Sequence, residues 1–240
     1  MKLRSTNRIY FKEDFISAQP IILRGDIAHY IRNVLRLKVN NKIRLFNEIL
    51  GEYLTKIVSC DKKEVYLEPV LEQPPRFPTK RSKLAIAPCL IKNDRFSIML
   101  DMSVQLGVTH ISPIITTNTV FKNQKLDRME RIIIEAAEQS ERLDIPTISE
   151  PINLFDLDFT KYEAVIYADE HSDHNVIPER SILAKENILL IVGPEGGFTN
   201  DELEKLSTLA NSYAISLGEN ILRAETAMIK LISYVEYARS

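Results

Sequence analysis

Short runs of β-prone residues dominate the first part of the chain. They are joined by Gly51 and by the polar stretch 61–63, and they cover residues 7–11, 42–46, 53–58 and 65–67. One helix is predicted among them. Asp26 can cap it, and its apolar face at helical spacing consists of Ile27, Tyr30, Ile31, Val34 and Leu35. Short strands with a single helix predict a small β-barrel.

The rest of the chain alternates between strand-like and helix-like runs. The strand candidates are residues 83–90, 109–115, 164–168 and 188–192, and the last of these is almost wholly apolar. The helix candidates are residues 94–106 and 125–142, each with one apolar side. This alternation predicts an α/β fold with a largely parallel sheet covered by helices, which binds ligands at the carboxyl ends of its strands.

A proline-rich stretch separates these two parts. Pro74, Pro75 and Pro78 block both a helix and a sheet ladder, so residues 73–78 are interpreted as a stiff linker. The predicted domains are therefore residues 1–72 and 79–240.

Composition is that of an ordinary globular protein, with 45% hydrophobic and 27% charged residues and a net charge of −2. No apolar run is long enough to span a bilayer, and the first residues lack the apolar stretch of a secretory signal. The two cysteines, Cys60 and Cys89, are too few for a disulfide framework and are interpreted as small buried hydrophobes. A cytoplasmic location is predicted.

Charge is distributed unevenly between the two predicted domains. Residues 1–72 contain 13 Lys and Arg against 9 Asp and Glu, whereas residues 73–240 contain 18 against 24. A basic small domain joined to an acidic larger one indicates a polyanionic partner. The predicted helix and the strand after it offer a phosphate-facing patch: His29, Arg32, Arg36, Lys38, Lys42 and Arg44. The alternative is an ordinary solvated helix face.

Glycine is concentrated in one region, since four of the seven glycines lie between residues 193 and 218. Residues 188–202 have the pattern of a strand, a glycine loop and a helix, and Thr199 and Glu202 have the spacing of a capping box. The loop lacks the motifs of nucleoside-triphosphate and dinucleotide folds. Its bare backbone suits a neutral or zwitterionic ligand, and the alternative is an ordinary tight turn.

A second segment, residues 216–227, follows another short strand and leads into the C-terminal helix. Arg223, Glu225 and Thr226 cluster in the first turn of that helix. An arginine there opposes the helix dipole, which favours negative charge at this end. A local rule broken beside a glycine loop indicates function.

The motifs GPEGGF and SLGENILRAETA resemble the cofactor-binding signature of the SPOUT methyltransferases. The chain is most similar to the RsmE family, which methylates N3 of a uridine in 16S small-subunit ribosomal RNA. Further similar segments are residues 34–39, 105–108, 111–113 and 136–142.

The resemblance implies a PUA-like β-barrel domain that grips RNA, followed by a SPOUT domain with a trefoil knot. It also implies a homodimer whose active site borders the subunit interface. The residues expected against S-adenosylmethionine are Gly193, Glu195, Gly196, Gly197, Leu217, Gly218 and Leu222. The residues expected against RNA are Arg32, Arg36, Lys38, Arg128 and Arg142.

The implied chemistry requires the proton on uridine N3 to leave before that nitrogen attacks the methyl group. Arg223 is the candidate cation that stabilises the resulting anion, and Glu225 either orients Arg223 or accepts the proton. Two alternatives stay open: Arg223 only pairs with Glu225, or it only contacts the cofactor.

The chain departs from the family pattern in two places. Met102 stands where relatives commonly have lysine, and Asn118 with Thr119 stands where they commonly have Arg-Ser. These losses of positive charge are expected to affect RNA affinity or activity rather than the cofactor loop. No metal is predicted, because the only histidine-rich run is short and polar, although its spacing suits a metal: Asp169, Glu170, His171, Asp173 and His174.

Two other functions are compatible with the sequence. One is a SPOUT enzyme that methylates another RNA position, such as a ribose 2′-hydroxyl. The other is a non-catalytic RNA-binding factor for ribosome assembly, and the intact glycine loop argues against it.

Overall fold

The computed structural model describes residues 6–13, 19–79, 82–169 and 178–240. The chain divides into two compact units, of which the first comprises Met1–Thr79 with Ala137–Ile145 and the second Lys80–Ala136 with Pro146–Ser240. The sequence pattern had placed residues 137–145 in the second domain. This segment belongs to the first unit by its contacts.

The first unit contains a five-stranded sheet. Its strands in chain order are β1 (Arg8–Tyr10), β2 (Ile21–Arg24), β3 (Lys42–Asn47), β4 (Gly51–Cys60) and β5 (Glu64–Pro69). They lie in the order β1-β3-β4-β5-β2, and only the β1–β3 pair is parallel. In β2 and β5 alternate positions are buried, as the two-residue period of a strand requires, whereas β3 buries five successive residues. The core of the unit includes Leu23, Ile43, Leu45, Val65 and Leu67.

The helix of this unit is shorter and less regular than predicted. Helix α1 (Gly25–His29) starts one residue before Asp26, which therefore lies in the first turn and does not cap it. A π-helical turn, Tyr30–Val34, follows directly. Because a π turn bonds residues five apart, the helical period slips, and Val34 is 59% exposed instead of facing the core.

Arg8 links residues 137–145 to the sheet of the first unit. Its guanidinium donates to Glu52 Oε2 at 2.6 Å, to the carbonyl of Ala137 at 2.8 Å and to that of Arg142 at 2.6 Å. It also lies 4.0 Å from the centre of the Phe46 ring. A buried arginine with this many acceptors explains why the segment groups with the first unit.

The second unit contains a six-stranded parallel sheet and a two-stranded one. Its strands are β6 (Lys83–Pro88), β7 (His110–Ile111), β8 (Ile114–Ile115), β9 (Thr147–Ile148), β10 (Ile152–Asn153), β11 (Ala164–Ala168), β12 (Asn187–Val192) and β13 (Ser212–Ile215). The large sheet has the order β13-β11-β12-β6-β7-β9, and β8 pairs with β10. The predicted strand 109–115 is split at Ser112 and Pro113, because proline lacks the donor that a ladder needs.

The remaining helices are α2 (Asn93–Gln105), α3 (Leu126–Gln139), α4 (Arg180–Leu183), α5 (Asn200–Ser207) and α6 (Ala224–Arg239). Helix α2 buries the side that its pattern predicted, with Phe96, Met99, Leu100 and Val104 inside. The α/β prediction is confirmed. Within the described ranges, no helix has both the length and the apolar character to cross a bilayer.

Candidate functional site

A cleft lies at the carboxyl ends of β11, β12 and β13, where a parallel sheet is expected to bind ligands. Its volume is about 820 Å³ including the open mouth. The seven residues expected to hold the cofactor all line it: Gly193, Glu195, Gly196, Gly197, Leu217, Gly218 and Leu222. The structure brings the two motifs together around one space, and their binding role stays a prediction.

The two motifs do not follow adjacent strands. Strand β11 lies between β12 and β13 in the sheet, so Ala168 and Asp169 line the cleft between the motifs. No local sequence pattern predicts this arrangement, since strand order within a parallel sheet is set by long-range contacts. Asp169 borders residues 170–177, and the metal candidates Glu170, His171, Asp173 and His174 lie outside the described residues.

The glycine loop is a tight turn with little side chain on it. The Gly197 amide donates to the Pro194 carbonyl at 2.9 Å, and Gly197 has a φ of +65°, which disfavours other residues. The Phe198 ring covers Gly193 so closely that a Cβ there would lie 3.1 Å from a ring carbon. The fold of the loop itself therefore favours glycine at both positions.

Helix α5 begins with the predicted capping box, which is confirmed. The Thr199 amide donates to Glu202 Oε2 at 2.9 Å, and the Glu202 amide donates to Thr199 Oγ1 at 3.3 Å. The amide and hydroxyl of Thr117 also donate to Glu202 Oε1, at 2.9 and 3.0 Å. Burial acts to raise the pKa of Glu202, but these hydrogen bonds outweigh it and hold the pKa below its usual value.

Asn118, which stands at the second departure from the family pattern, supports the glycine loop. Asn118 Nδ2 donates to the carbonyls of Gly196 and Gly197, at 3.0 and 3.1 Å. Thr119 is 5% exposed, and its hydroxyl oxygen lies 3.0 Å from Cys89 Sγ. Burial raises the pKa of the fully buried Cys89 thiol, which fits a structural residue, whereas Cys60 is half-buried.

The second motif is fixed by one long side chain. Lys230 of α6 donates to the Leu217 carbonyl at 2.7 Å. The next residue, Gly218, has a φ of +108°, a conformation that side chains rarely adopt. Lys230 was not predicted, because a lysine at mid-helix carries no sequence signal for such a contact.

Arg223 and Glu225 do not pair with each other. Arg223 occupies the N-cap position of α6 and is exposed, and its guanidinium has no ion pair or hydrogen bond within the described part of the chain. Glu225 instead pairs with Arg95 Nη1 of α2 at 3.2 Å. The alternative in which Arg223 only pairs with Glu225 is therefore wrong. Arg95 was missed, although it too opposes the dipole in the first turn of a helix.

The predicted RNA-contacting residues differ in exposure. Arg36, Lys38 and Arg128 are exposed, and Arg36 has a φ of +53° just after the π turn. Arg32 is half-buried and donates to the Asp61 carbonyl at 3.0 Å. Arg142, by contrast, is 3% exposed and bonds Asp144, a placement that does not favour contact with RNA.

Arg44 does not belong to the predicted phosphate-facing patch. It is 4% exposed and pairs with Glu52 and Glu141, at 3.7 and 3.1 Å. Its positive charge is therefore neutralised by carboxylates of the first unit. Among the residues that the structure describes, no group of three or more histidine, cysteine or acidic side chains could hold a metal ion.

Comparison with known families and proteins identifies both units. The RNA methyltransferase domain family matches residues 78–236, and the RNA methyltransferase PUA domain family matches residues 23–70. The ribosomal RNA small subunit methyltransferase E of Rickettsia conorii is 41% identical, over 95% of this chain and 94% of its own. The protein of the same name in Mesomycoplasma hyopneumoniae is 31% identical, over 88% and 92%.

Two similar solved structures contain the cofactor. A Legionella pneumophila methyltransferase with bound SAM has a TM-score of 0.86 and 26% identity, and the match covers 97% of this chain and 98% of the other. A ribosomal RNA small subunit methyltransferase E from Neisseria gonorrhoeae bound to S-adenosyl methionine has a TM-score of 0.84 and 26% identity, with 97% of each chain covered. The chain therefore belongs to the RsmE family, the ribosomal RNA small subunit methyltransferases E, with a PUA-like domain before a SPOUT methyltransferase domain.

Proposed function

We propose that this protein transfers a methyl group from S-adenosylmethionine to N3 of a uridine in 16S small-subunit ribosomal RNA. The observation that carries the proposal is the convergence of both motifs on one cleft at the carboxyl ends of parallel strands. Relatives named ribosomal RNA small subunit methyltransferase E, two of which are at least 31% identical, support the substrate.

The lining of the cleft suits the chemistry of the cofactor. Leu217 and Leu222 offer apolar surface for a nucleobase, and the bare backbone of the glycine loop permits close approach. The exposed carboxylate of Glu195 suits hydroxyl groups or the ammonium group of the amino-acid part.

The bound cofactor supplies a methyl group on a positively charged sulfur, which is already electrophilic. The residues of this chain orient the base and favour its deprotonated form. We assign the stabilisation of the uridine anion to Arg223, which is exposed beside the cleft-lining residues Leu222 and Ala224. Glu225, held by Arg95, stays the candidate acceptor of the N3 proton.

RNA is proposed to meet basic residues of both units that are exposed or half-buried. In the first unit these are Arg32, Arg36 and Lys38, and in the second unit Arg128, whose guanidinium lies 3.4 Å from Ser97 Oγ. Arg142 is left out because it is buried. Phosphate contacts of this kind position the RNA and make binding sensitive to salt.

The assembly and location are also part of the proposal. Ile98 and Met102, one turn apart on α2, are 51% and 40% exposed, and such apolar surface favours a second copy of the chain. We propose a homodimer in the cytoplasm, without a metal, and a trefoil knot in the second unit.

The test is mass spectrometry of 16S rRNA after incubation of small subunits, and separately of naked RNA, with the protein and isotope-labelled S-adenosylmethionine. We expect one labelled methyl group on a uridine base. Primer extension then separates the positions, since N3-methyluridine stops reverse transcription and a ribose methyl group scarcely does. A label on ribose would contradict the assigned position. A protein that binds RNA but not the cofactor would be a non-catalytic assembly factor.

A further inference from the structure

Asn118, which lies outside both sequence motifs, holds the glycine loop of the cleft in place. We infer that Asn118 is a positioning residue for the cofactor site, whose amide fixes the backbone of Gly196 and Gly197 before the ligand binds. This inference rests on the proposed function, because the loop that Asn118 holds is the proposed S-adenosylmethionine loop.

The contact is chemically specific. Asn118 Nδ2 lies 3.0 Å from the Gly196 oxygen and 3.1 Å from the Gly197 oxygen, so one amide group serves two consecutive carbonyls. Both partners are acceptors, and the group that faces them must therefore be a donor. An aspartate of nearly the same shape would place an acceptor against two acceptors.

Gly196 allows this close approach. A Cβ built on Gly196 would lie 3.3 Å from the Asn118 Cβ, tighter than most real contacts. The glycine at this position is thus explained by a contact inside the protein as well as by any ligand. A side chain at position 196, or a different side chain at position 118, would therefore disturb this contact.

Asn118 is itself held on both sides. Before it, the Thr117 amide donates to Glu202, the acidic member of the α5 capping box, at 2.9 Å. After it, Thr119 is buried, and its hydroxyl oxygen accepts from the Thr116 amide at 2.7 Å. A side chain anchored at both neighbours can set the shape of the loop that it contacts.

These contacts order the glycine loop before the cofactor binds. A glycine-rich loop loses much conformational entropy when it is ordered, and a loop that is already ordered by the protein spares the ligand that free-energy cost. Without the Asn118 amide, the loop is expected to sample more conformations, and S-adenosylmethionine must order it on binding.

The experiment compares Asn118→Ala and Asn118→Asp with wild type and with Asn123→Asp, an exposed control that makes the same chemical change nearby. Titration calorimetry with S-adenosylmethionine should show about tenfold weaker binding for Asn118→Ala, since two hydrogen bonds are lost. Asn118→Asp should be weaker still, and Asn123→Asp should match wild type. The unliganded melting temperatures should differ little, because the side chain is only half-buried.

Hydrogen exchange supplies a readout that needs no cofactor. In the unliganded protein, the amides of Gly193 and of residues 195–198 should exchange faster in Asn118→Ala than in wild type, while those of β12 stay protected. Cofactor affinity within twofold of wild type in both Asn118 variants, with unchanged exchange, would overturn the inference. If wild type itself failed to bind S-adenosylmethionine, the proposed function would fail, and the exchange data would still decide whether Asn118 orders the loop.

Discussion

The two sides of the cleft are built differently. The glycine loop after β12 is held by the Asn118 amide, by the α5 capping box and by the Phe198 ring. For the segment after β13, the described residues provide one such support, the bond from Lys230 to the Leu217 carbonyl, and Ile221 in this segment is 84% exposed. One side is fixed by several contacts and the other by few.

This difference suits two different roles, with the rigid loop assigned to the cofactor and the less constrained segment to the RNA base. A rigid loop lowers the entropic cost of binding a ligand that is the same in every reaction cycle. The less constrained segment leads directly to Arg223, the residue proposed to face the RNA base. Greater freedom there suits a large RNA substrate whose base must be accommodated beside the cofactor.

The largest expected effect comes from a change in the rigid side. Gly196→Val should abolish measurable S-adenosylmethionine binding, because its branched side chain would collide with Asn118 and project from the loop that lines the cleft. Titration calorimetry checks it. Gly196→Ala is the graded control and should bind with intermediate affinity. Full affinity in the valine variant would show that the loop is more compliant than proposed.

The second-largest expected effect is on the methylation rate and comes from Arg223, which follows the less constrained segment after β13. Arg223→Ala should lower the methylation rate about 100- to 1,000-fold, the loss typical of removing one donor that stabilises an anion. Cofactor affinity should change by less than about threefold, because the guanidinium is assigned to the base. Single-turnover assays with labelled cofactor measure the rate, and Arg223→Lys should recover part of it. Unchanged turnover in the alanine variant would remove Arg223 from the mechanism.

A smaller effect is expected from the single support of the second motif. Lys230→Met keeps the apolar stem but removes the ammonium group that holds the Leu217 carbonyl, so cofactor affinity should fall about fivefold. Calorimetry measures the change, and the exposed Lys122→Met serves as the matched control. A loss larger than that of Asn118→Ala would reverse the proposed ranking of the two sides.

The smallest effect is on stability. Glu202→Gln should lower the free energy of unfolding at neutral pH by about 1 kcal/mol, because one acceptor of the capping box becomes a donor. The native pKa of Glu202 is lowered, so its contribution is present above the unfolded-state pKa of about 4.3 and is lost as the pH falls through the native pKa. Urea unfolding measured from neutral pH down to about pH 3 should therefore show a shallower decline in the variant. Parallel curves would contradict this account.

Local patterns predicted local structure well. Thr199 and Glu202 identified the start of α5, and strand β11 was predicted with its observed bounds, Ala164–Ala168. The cleft residues came from the family resemblance rather than from periodicity. The contacts of Arg95, Asn118 and Lys230 could not be predicted, since each side chain reaches a residue far along the chain or on another element.

Two failures have specific physical causes. The predicted apolar face with Tyr30 and Val34 assumed a regular helix, and a π turn shifts those positions outward. The supposed surface cation Arg44 is buried, because paired carboxylates compensate its charge. The expected effect of Asn118 and Thr119 on RNA affinity or activity stays a prediction; the structure adds a contact between Asn118 and the glycine loop.

The most direct test of the proposed cofactor site uses the scarcity of glycine. Protein labelled with ¹⁵N only at glycine should give seven backbone amide signals, and titration with S-adenosylmethionine should shift those of Gly193, Gly196, Gly197 and Gly218. The signals of Gly25, Gly51 and Gly107, away from the cleft lining, should stay in place. Shifts confined to Gly25, Gly51 and Gly107, or no shift of any glycine signal, would contradict the assignment of this cleft.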